Sequence, residues 1–212
     1  MVKDEAFEWI GGHMALDFTN TVTRRRSGFD RERLQSYDDL LKWSGQAGTL
    51  SRSAMVALGR AARDRPDIAA ATYRDALRTR AELHGLFVAQ ATGHRTPGPV
   101  IASLNRRTRR AMSHLKLHSS AHHVTVQWDA AIRLDRPLWP VLKATLELLT
   151  SSDLRRMRVC ANPECGWVFL DQSRQRNRRW CSMRECGSRA KARAYYHRRH
   201  ANSVRTAEHL DR

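Results

Sequence analysis

Cys160, Cys165, Cys181 and Cys186 are the four cysteines of this 212-residue chain, and they form two pairs with the same four-residue gap, 15 residues apart. A short gap lets both thiolates of a pair reach one ion, and two pairs complete the tetrahedral shell that Zn²⁺ prefers. Four thiolates leave no coordination position open, so the expected cofactor is one structural Zn²⁺. Four unliganded thiols or two disulfides are the alternatives, and a reducing compartment disfavours the disulfides. A bound zinc would supply most of the stability of so small a module, roughly 10–16 kcal/mol. Replacing any one Cys is then expected to unfold the module and leave the rest of the chain helical.

The residues between and after the pairs must position these ligands. Trp167 to Leu170 and Arg178 to Trp180 flank a polar loop from Gln172 to Asn177, a pattern that predicts a hairpin. No helix breaker follows Cys186 until well past His200, so a helix is expected to begin near the second pair. Knuckle, hairpin and helix, in that order, make a treble-clef-like zinc finger. Basic residues concentrate on it. Arg174, Arg176, Arg178 and Arg179 fall on the loop and second strand, and Arg184, Arg189, Lys191, Arg193, Arg198 and Arg199 on the helix. At 100° per residue, Arg184, Lys191, Tyr195 and Arg198 share a face with Ser188 between them. A helix with such a face suits a DNA major groove while loop arginines hold phosphates; the alternative is a solvated basic helix. Tyr195 and Tyr196 either stack on bases or pack the helix onto the hairpin.

The whole chain carries 38 Lys and Arg against 21 Asp and Glu, a formal charge of +17. Such an excess points to a polyanionic partner. Residues 151–212 hold 15 basic and six acidic side chains, net +9, which leaves +8 on the first 150 residues. Half the charge therefore sits on less than a third of the length. Hydrophobic residues make up 41% of the chain, too much for a disordered basic tail. The first twenty residues contain Asp4, Glu5 and Glu8 and no apolar stretch of a secretory signal, and no run is long enough to cross a membrane. The expected location is the cytoplasm, on the nucleoid.

The first 150 residues read as mostly helical. Ala15, Phe18 and Val22 form one face of a short helix, followed by a basic turn at Arg24 to Arg26. Ser36 predicts the N-cap of a helix with Leu40, Leu41 and Trp43 inward, and Ser51 starts another. Pro66 suits the first turn of a longer helix running to about Ala91, with Ile68, Tyr73, Leu77, Leu83 and Phe87 facing a core. Thr92 to Pro99 reads as a linker before a short basic helix from Val100 to Met112. Leu115 and Leu117, then Val124, Val126 and Trp128, alternate with polar residues and predict a hairpin with one buried face. Pro137 opens a last helix striped by Leu138, Leu142, Leu146 and Leu149. The expected fold is mainly α with a small β-hairpin: a helical domain over residues 1–153, the zinc finger over 154–202 and a tail over 203–212.

From Leu154 to His200 the chain resembles the CGNR-type zinc finger. The matching words are Cys160 and Cys165, Trp167 to Asp171, Ser173-Arg174, Arg178-Arg179-Trp180-Cys181-Ser182-Met183, Cys186-Gly187 and Arg189-Ala190-Lys191. The preceding region resembles the ABATE domain of bacterial proteins in the putative stress-induced transcription regulator family, through Leu16-Asp17-Phe18, Asn20-Thr21, Asp38 to Trp43 and Leu148-Leu149-Thr150-Ser151. One departure is visible: Ser188 stands where the family's Cys-Gly-Asn-Arg word has Asn. Ser cannot make the bidentate contact to adenine that an Asn amide makes, so base reading changes if the Asn reads DNA and little changes if it braces the turn.

The resemblance implies a zinc-dependent DNA-binding transcription regulator, with the finger on DNA and the helical domain sensing a small-molecule effector or forming a homodimer. An RNA- or ribosome-associated zinc protein is the alternative, since charge alone does not separate the two nucleic acids. Asp17, Asn20 and Thr21 lie within one helical turn and either line an effector pocket or cross-brace helices. An enzyme with an active site there is the third and least favoured reading. His118, His122 and His123 read as loop residues, and His13 near Asp17 is a weak acid–base pair. No phosphate-binding Gly-rich loop, nucleophile elbow or paired-carboxylate signature is present.

Overall fold

The computed structural model describes residues 7–23, 31–120, 122–196 and 198. Helix α1 (Met14–Thr19) is capped by His13, whose Nδ1 accepts from the Ala15 N–H at 3.4 Å. Val22, expected on its face, lies beyond it in a two-residue strand, β1 (Val22–Thr23), paired antiparallel with β2 (Arg31–Glu32). The basic turn at Arg24 to Arg26 falls outside the described residues. Ser36 and Ser51 cap α2 (Tyr37–Gln46) and α3 (Arg52–Asp64), each hydroxyl accepting from the backbone N–H three residues on. That satisfies a donor the helix itself leaves unpaired, an effect of about 1 kcal/mol.

Pro66 opens the long helix α4 (Pro66–Thr92), where its missing N–H costs no helical bond. The helix stops at Gly93, whose φ of 74° puts it in the left-handed region open to glycine. Helix α5 (Gly98–Met112) follows, so five of the eight expected linker residues, Gly93 to Pro97, form the connection. A single 3₁₀ turn, Arg136–Leu138, then leads into α6 (Trp139–Thr150). Phe18, Trp43, Leu58, Leu83, Phe87 and Leu148 meet in one core between these helices, with Phe18 edge-on to Trp43 at 5.1 Å. Each such side chain contributes about 1.5–3 kcal/mol by leaving water.

Two expected core residues lie elsewhere. On α6 the expected Leu142 is buried, as are Val141, Ala144, Thr145 and Leu148, but Leu146 is 41% exposed. Leu138 belongs to the 3₁₀ turn before the helix and not to the helix itself, but it is buried in the same core as Val141 and Leu148. Ile68, near the free end of α4, is half exposed. The hairpin of β3 (Leu115–Ser119) and β4 (Val124–Trp128) forms with Leu117 opposite Val126. Its apolar face is not buried, however: Leu117 is 74% exposed and Val124 and Val126 are exposed as well. Only the base of the two-stranded sheet reaches the helices, where Trp128 meets Trp139 at 5.8 Å between ring centroids.

The C-terminal module starts with the 3₁₀ turn Ser152–Arg156 and strand β5 (Met157–Val159), which pairs antiparallel with β6 (Val168–Leu170). The hairpin expected between Trp167 to Leu170 and Arg178 to Trp180 is thus replaced by one that encloses the first cysteine pair. The Cys160–Cys165 knuckle, with Gly166 at φ 71°, is itself the turn, and the strand before it is nearer along the chain than residue 178. A π-helical turn, Met183–Gly187, runs into α7, residues 188–196. Met157, Val168 and Leu170 pack in the same core as the helical domain's Leu16, Leu83 and Leu148. The finger's hairpin is a wall of the helical domain.

Candidate functional site

The four cysteine sulfurs converge to within 4.8 Å of one another, and all four residues are buried. Cys181 Sγ lies 3.6 Å from Cys165 Sγ and 3.7 Å from Cys186 Sγ. A disulfide would need about 2.05 Å, whereas a tetrahedron of sulfurs about 2.3 Å from zinc has edges of about 3.8 Å. The spacing fits Zn²⁺ and excludes the paired disulfides. Protonation chemistry agrees: hydrogen bonds from the Cys165 and Cys181 thiols push Cys160 far below its ordinary value, and in return hold Cys165 and Cys181 far above theirs. The site holds one structural Zn²⁺.

Asn162 supports the ligands from inside the knuckle. It is buried, its Nδ2 donates to Cys186 Sγ at 3.3 Å, and its Oδ1 accepts from Arg193 of α7 at 2.8 Å. One side chain thereby ties the second cysteine pair and the helix to the first pair. Ser182 caps the turn that carries Cys186, accepting from the Glu185 N–H at 3.3 Å. Asp171 organises the loop. Burial alone would raise its carboxyl, but hydrogen bonds from Ser173 and the Arg178 N–H, with the charge of Arg158, hold it below the ordinary range. The sequence signal for Asn162 was an Asn two residues after a ligand, where its side chain mimics a turn.

The basic residues divide into two groups. Arg178 is structural: its Nε donates to Trp180 O at 3.0 Å, a second nitrogen donates to Cys181 O, and its guanidinium lies 4.6 Å from the Phe169 ring centroid. Arg193 is committed to Asn162. By contrast, Arg174, Arg176, Arg184, Arg189, Lys191 and Arg198 are exposed, and their side chains make no hydrogen bond or ion pair with other described residues. Arg179 is exposed with its guanidinium 5.3 Å from the Trp180 ring centroid. Arg176 is held at φ 52°, an uncommon conformation for a side-chain-bearing residue, at the tip of the loop. Ser188 donates to Met183 O at 3.2 Å and so braces the start of α7. Tyr195 and Tyr196 are both exposed, their rings in an edge-on pair 6.1 Å apart. Arg199 lies outside the described residues.

Asp17, Asn20 and Thr21 come together, but all three are buried and engaged within the chain. Asp17 Oδ1 accepts from the Gly11 N–H at 2.7 Å, and burial, only partly offset by that bond, pushes its carboxyl up to about 6. Asn20 holds the backbone of Val168 in β6, its Nδ2 donating at 2.9 Å and its Oδ1 accepting at 3.2 Å. Thr21 donates to Phe18 O and accepts from Arg80, which forms a two-pronged ion pair with Glu32. Asn20 is the member of the cluster that clasps the finger to the helical domain. Trp167 Nε1 donating to Val22 O at 2.9 Å and His84 Nε2 lying 2.7 Å from Gly166 O extend the clasp. His13 caps α1 and His122 and His123 are exposed beside the β3–β4 turn.

These features define a four-cysteine zinc finger built onto a mainly helical domain. The CGNR zinc finger model matches residues 156–199, and the ABATE model, described as Putative stress-induced transcription regulator, matches residues 12–152. The chain belongs to the ABATE family and carries a CGNR zinc finger. No curated protein matches it. Neither matched family is described as an enzyme, and among the described residues no helix is long and apolar enough to cross a membrane.

Proposed function

We propose that this protein is a zinc-dependent DNA-binding transcription regulator of the nucleoid, in which the finger contacts DNA and the helical domain supplies the regulatory input. One observation carries the reading: the exposed cations whose side chains make no hydrogen bond or ion pair with other described residues, Arg174, Arg176, Arg184, Arg189, Lys191 and Arg198, are collected on the finger's loop and α7. Cations that neutralise phosphates release the counterions condensed on the duplex, and that release favours binding. The zinc and its Asn162 bracket fix the loop and helix relative to each other, so the cations meet a duplex as one preset surface. The family description, a transcription regulator, agrees. With Ser188 bound back to the turn, sequence reading rests on Arg184, Lys191 and the phosphate pattern.

The test is binding of the zinc-loaded protein to a short DNA duplex and to a structured RNA at matched salt with competitor polyanion. DNA is expected to bind more tightly, and affinity to fall by roughly 10³-fold between 50 and 200 mM salt if six phosphates are met. A preference for the RNA overturns this reading in favour of an RNA-associated zinc protein. Genome-wide footprinting of the native protein beside Cys181→Ser then separates discrete operators from uniform coating.

A further inference from the structure

A cavity of about 400 Å³ lies between α4, α5 and the start of α6, on the helical domain and away from the zinc. Its size is within the range of small-molecule sites. The inner wall is apolar: Ala111, Leu138, Trp139 and Leu142, each buried in the fold. The mouth is charged, with Arg106, Arg107 and Arg110 facing Asp75 and Asp135. These charges are unequal in use. Arg107 is 2.5 Å from Asp75 and also donates to Thr79, and Arg110 is 3.0 Å from Asp135. Both carboxylates are therefore taken, Asp135 a second time by Arg133 at 3.4 Å. The Arg106 side chain makes no hydrogen bond or ion pair with other described residues.

We propose that this cavity is a binding site for a small amphipathic carboxylate, whose apolar body lies on Leu138, Trp139 and Leu142 and whose anionic end meets Arg106. An apolar wall selects against a fully polar anion such as phosphate, because the one unpartnered donor there, Trp139 Nε1, cannot replace the water lost by several desolvated oxygens. The surplus guanidinium at the mouth selects against a neutral or cationic molecule. An acyl or aromatic carboxylate satisfies both ends. A second depression, of about 220 Å³, shares Ile68, Thr72, Arg110 and Asp135 with the first, so the groove continues along α4 and admits a body longer than the cavity alone. The wall is also well placed to report occupancy: Trp139 stacks on His114 with ring centroids 4.0 Å apart, and His114 is paired with Asp129 at the base of the β3–β4 hairpin.

This inference supplies a ligand class for the regulatory input proposed above, but its test involves no nucleic acid and so fails or succeeds separately from DNA binding. The zinc-loaded full chain is titrated calorimetrically with octanoate and with 2-naphthoate, and with the amide of each. At least one carboxylate is expected to bind saturably at one site, at least about tenfold more tightly than its amide. Arg106→Gln, a change at an exposed residue, is expected to remove that preference. Ala71→Trp, on the exposed lip of the cavity, is expected to abolish binding of both molecules by filling it. Equal affinity for acid and amide, equal displacement by acetate, or binding unaffected by both substitutions would overturn the proposal, as would no saturable binding at millimolar concentration. If octanoate alone binds, the site takes acyl chains; if naphthoate alone, aromatic acids.

Discussion

The side-chain amide of Asn20 takes both the C=O and the N–H of Val168, 148 positions away, at 2.9 and 3.2 Å. An amide is well suited to this task, because it offers one donor and one acceptor side by side, as the neighbouring strand of a sheet would. Asn20 thus stands in for a sheet neighbour on the free edge of β6. Asn20→Ala leaves two buried backbone groups unpaired, and the expected loss is about 2–4 kcal/mol, read from urea midpoints of zinc-loaded protein. A loss below about 0.5 kcal/mol would mean that the bracket contributes nothing.

Zinc removal is expected to reach further than the finger. Met157, Val168 and Leu170 belong to the core that also holds Leu16 and Leu83, and Trp167 is bound to Val22. Chelation, or Cys181→Ser, should therefore lower the melting temperature of the helical domain and loosen its tertiary packing while the α-helical signal largely persists. Near-ultraviolet and far-ultraviolet circular dichroism followed on one sample distinguish these effects, with elemental analysis giving one zinc per chain beforehand. An unchanged melting profile of the helical domain would show two independent units.

Asp17 makes stability depend on pH with an unusual sign. Its carboxyl is raised from 3.8 to about 6 by burial, so between those values the folded chain binds more protons than the unfolded one. Stability from this group is complete below the unfolded value and is lost as pH rises to about 6, roughly 3 kcal/mol over the window. Asp17→Asn keeps an acceptor for the Gly11 N–H and carries no charge. The difference in urea midpoint between the two proteins, measured from pH 4 to 7 by steps of about one unit, should grow with pH in favour of the variant. A flat difference would place the ionised carboxylate in a less costly setting.

Neighbouring arginines of the finger should part company on substitution. Arg178→Ala removes the bonds to Trp180 O and Cys181 O and the contact with Phe169, so a loss of about 2–3 kcal/mol and weaker zinc retention are expected. Arg176→Gly relieves a left-handed backbone at φ 52°, and stability should hold or rise by about 1 kcal/mol. The same change should cut the salt dependence of DNA binding by about 0.9 in the log–log slope. If Arg178→Ala lowered only the slope and Arg176→Gly only the stability, the division between structural and solvent-facing arginines would be reversed.

What the sequence by itself determined about this protein is local. Two equally spaced cysteine pairs specify a metal site because ligand spacing is a property of a few residues, and Ser36, Ser51 and Pro66 mark helix starts because capping acts within one turn. The helical periods of the first 150 residues are legible for the same reason. Only the tertiary structure decided what depends on distant neighbours. Strand β6 pairs with β5 and not with residues 178–180, because the knuckle itself closes the shorter loop. Asp17, Asn20 and Thr21 are buried and not open to solvent, and Asn20 binds the finger's Val168. The alternation in β3 and β4 correctly forms a hairpin, but alternation states only that one face is apolar, and no described element covers Leu117 or Val126. Nor does charge reveal its own use: Arg178 and Arg176 are the same residue two positions apart, and only the placement of Phe169 and of two carbonyl oxygens separates a brace from a contact surface.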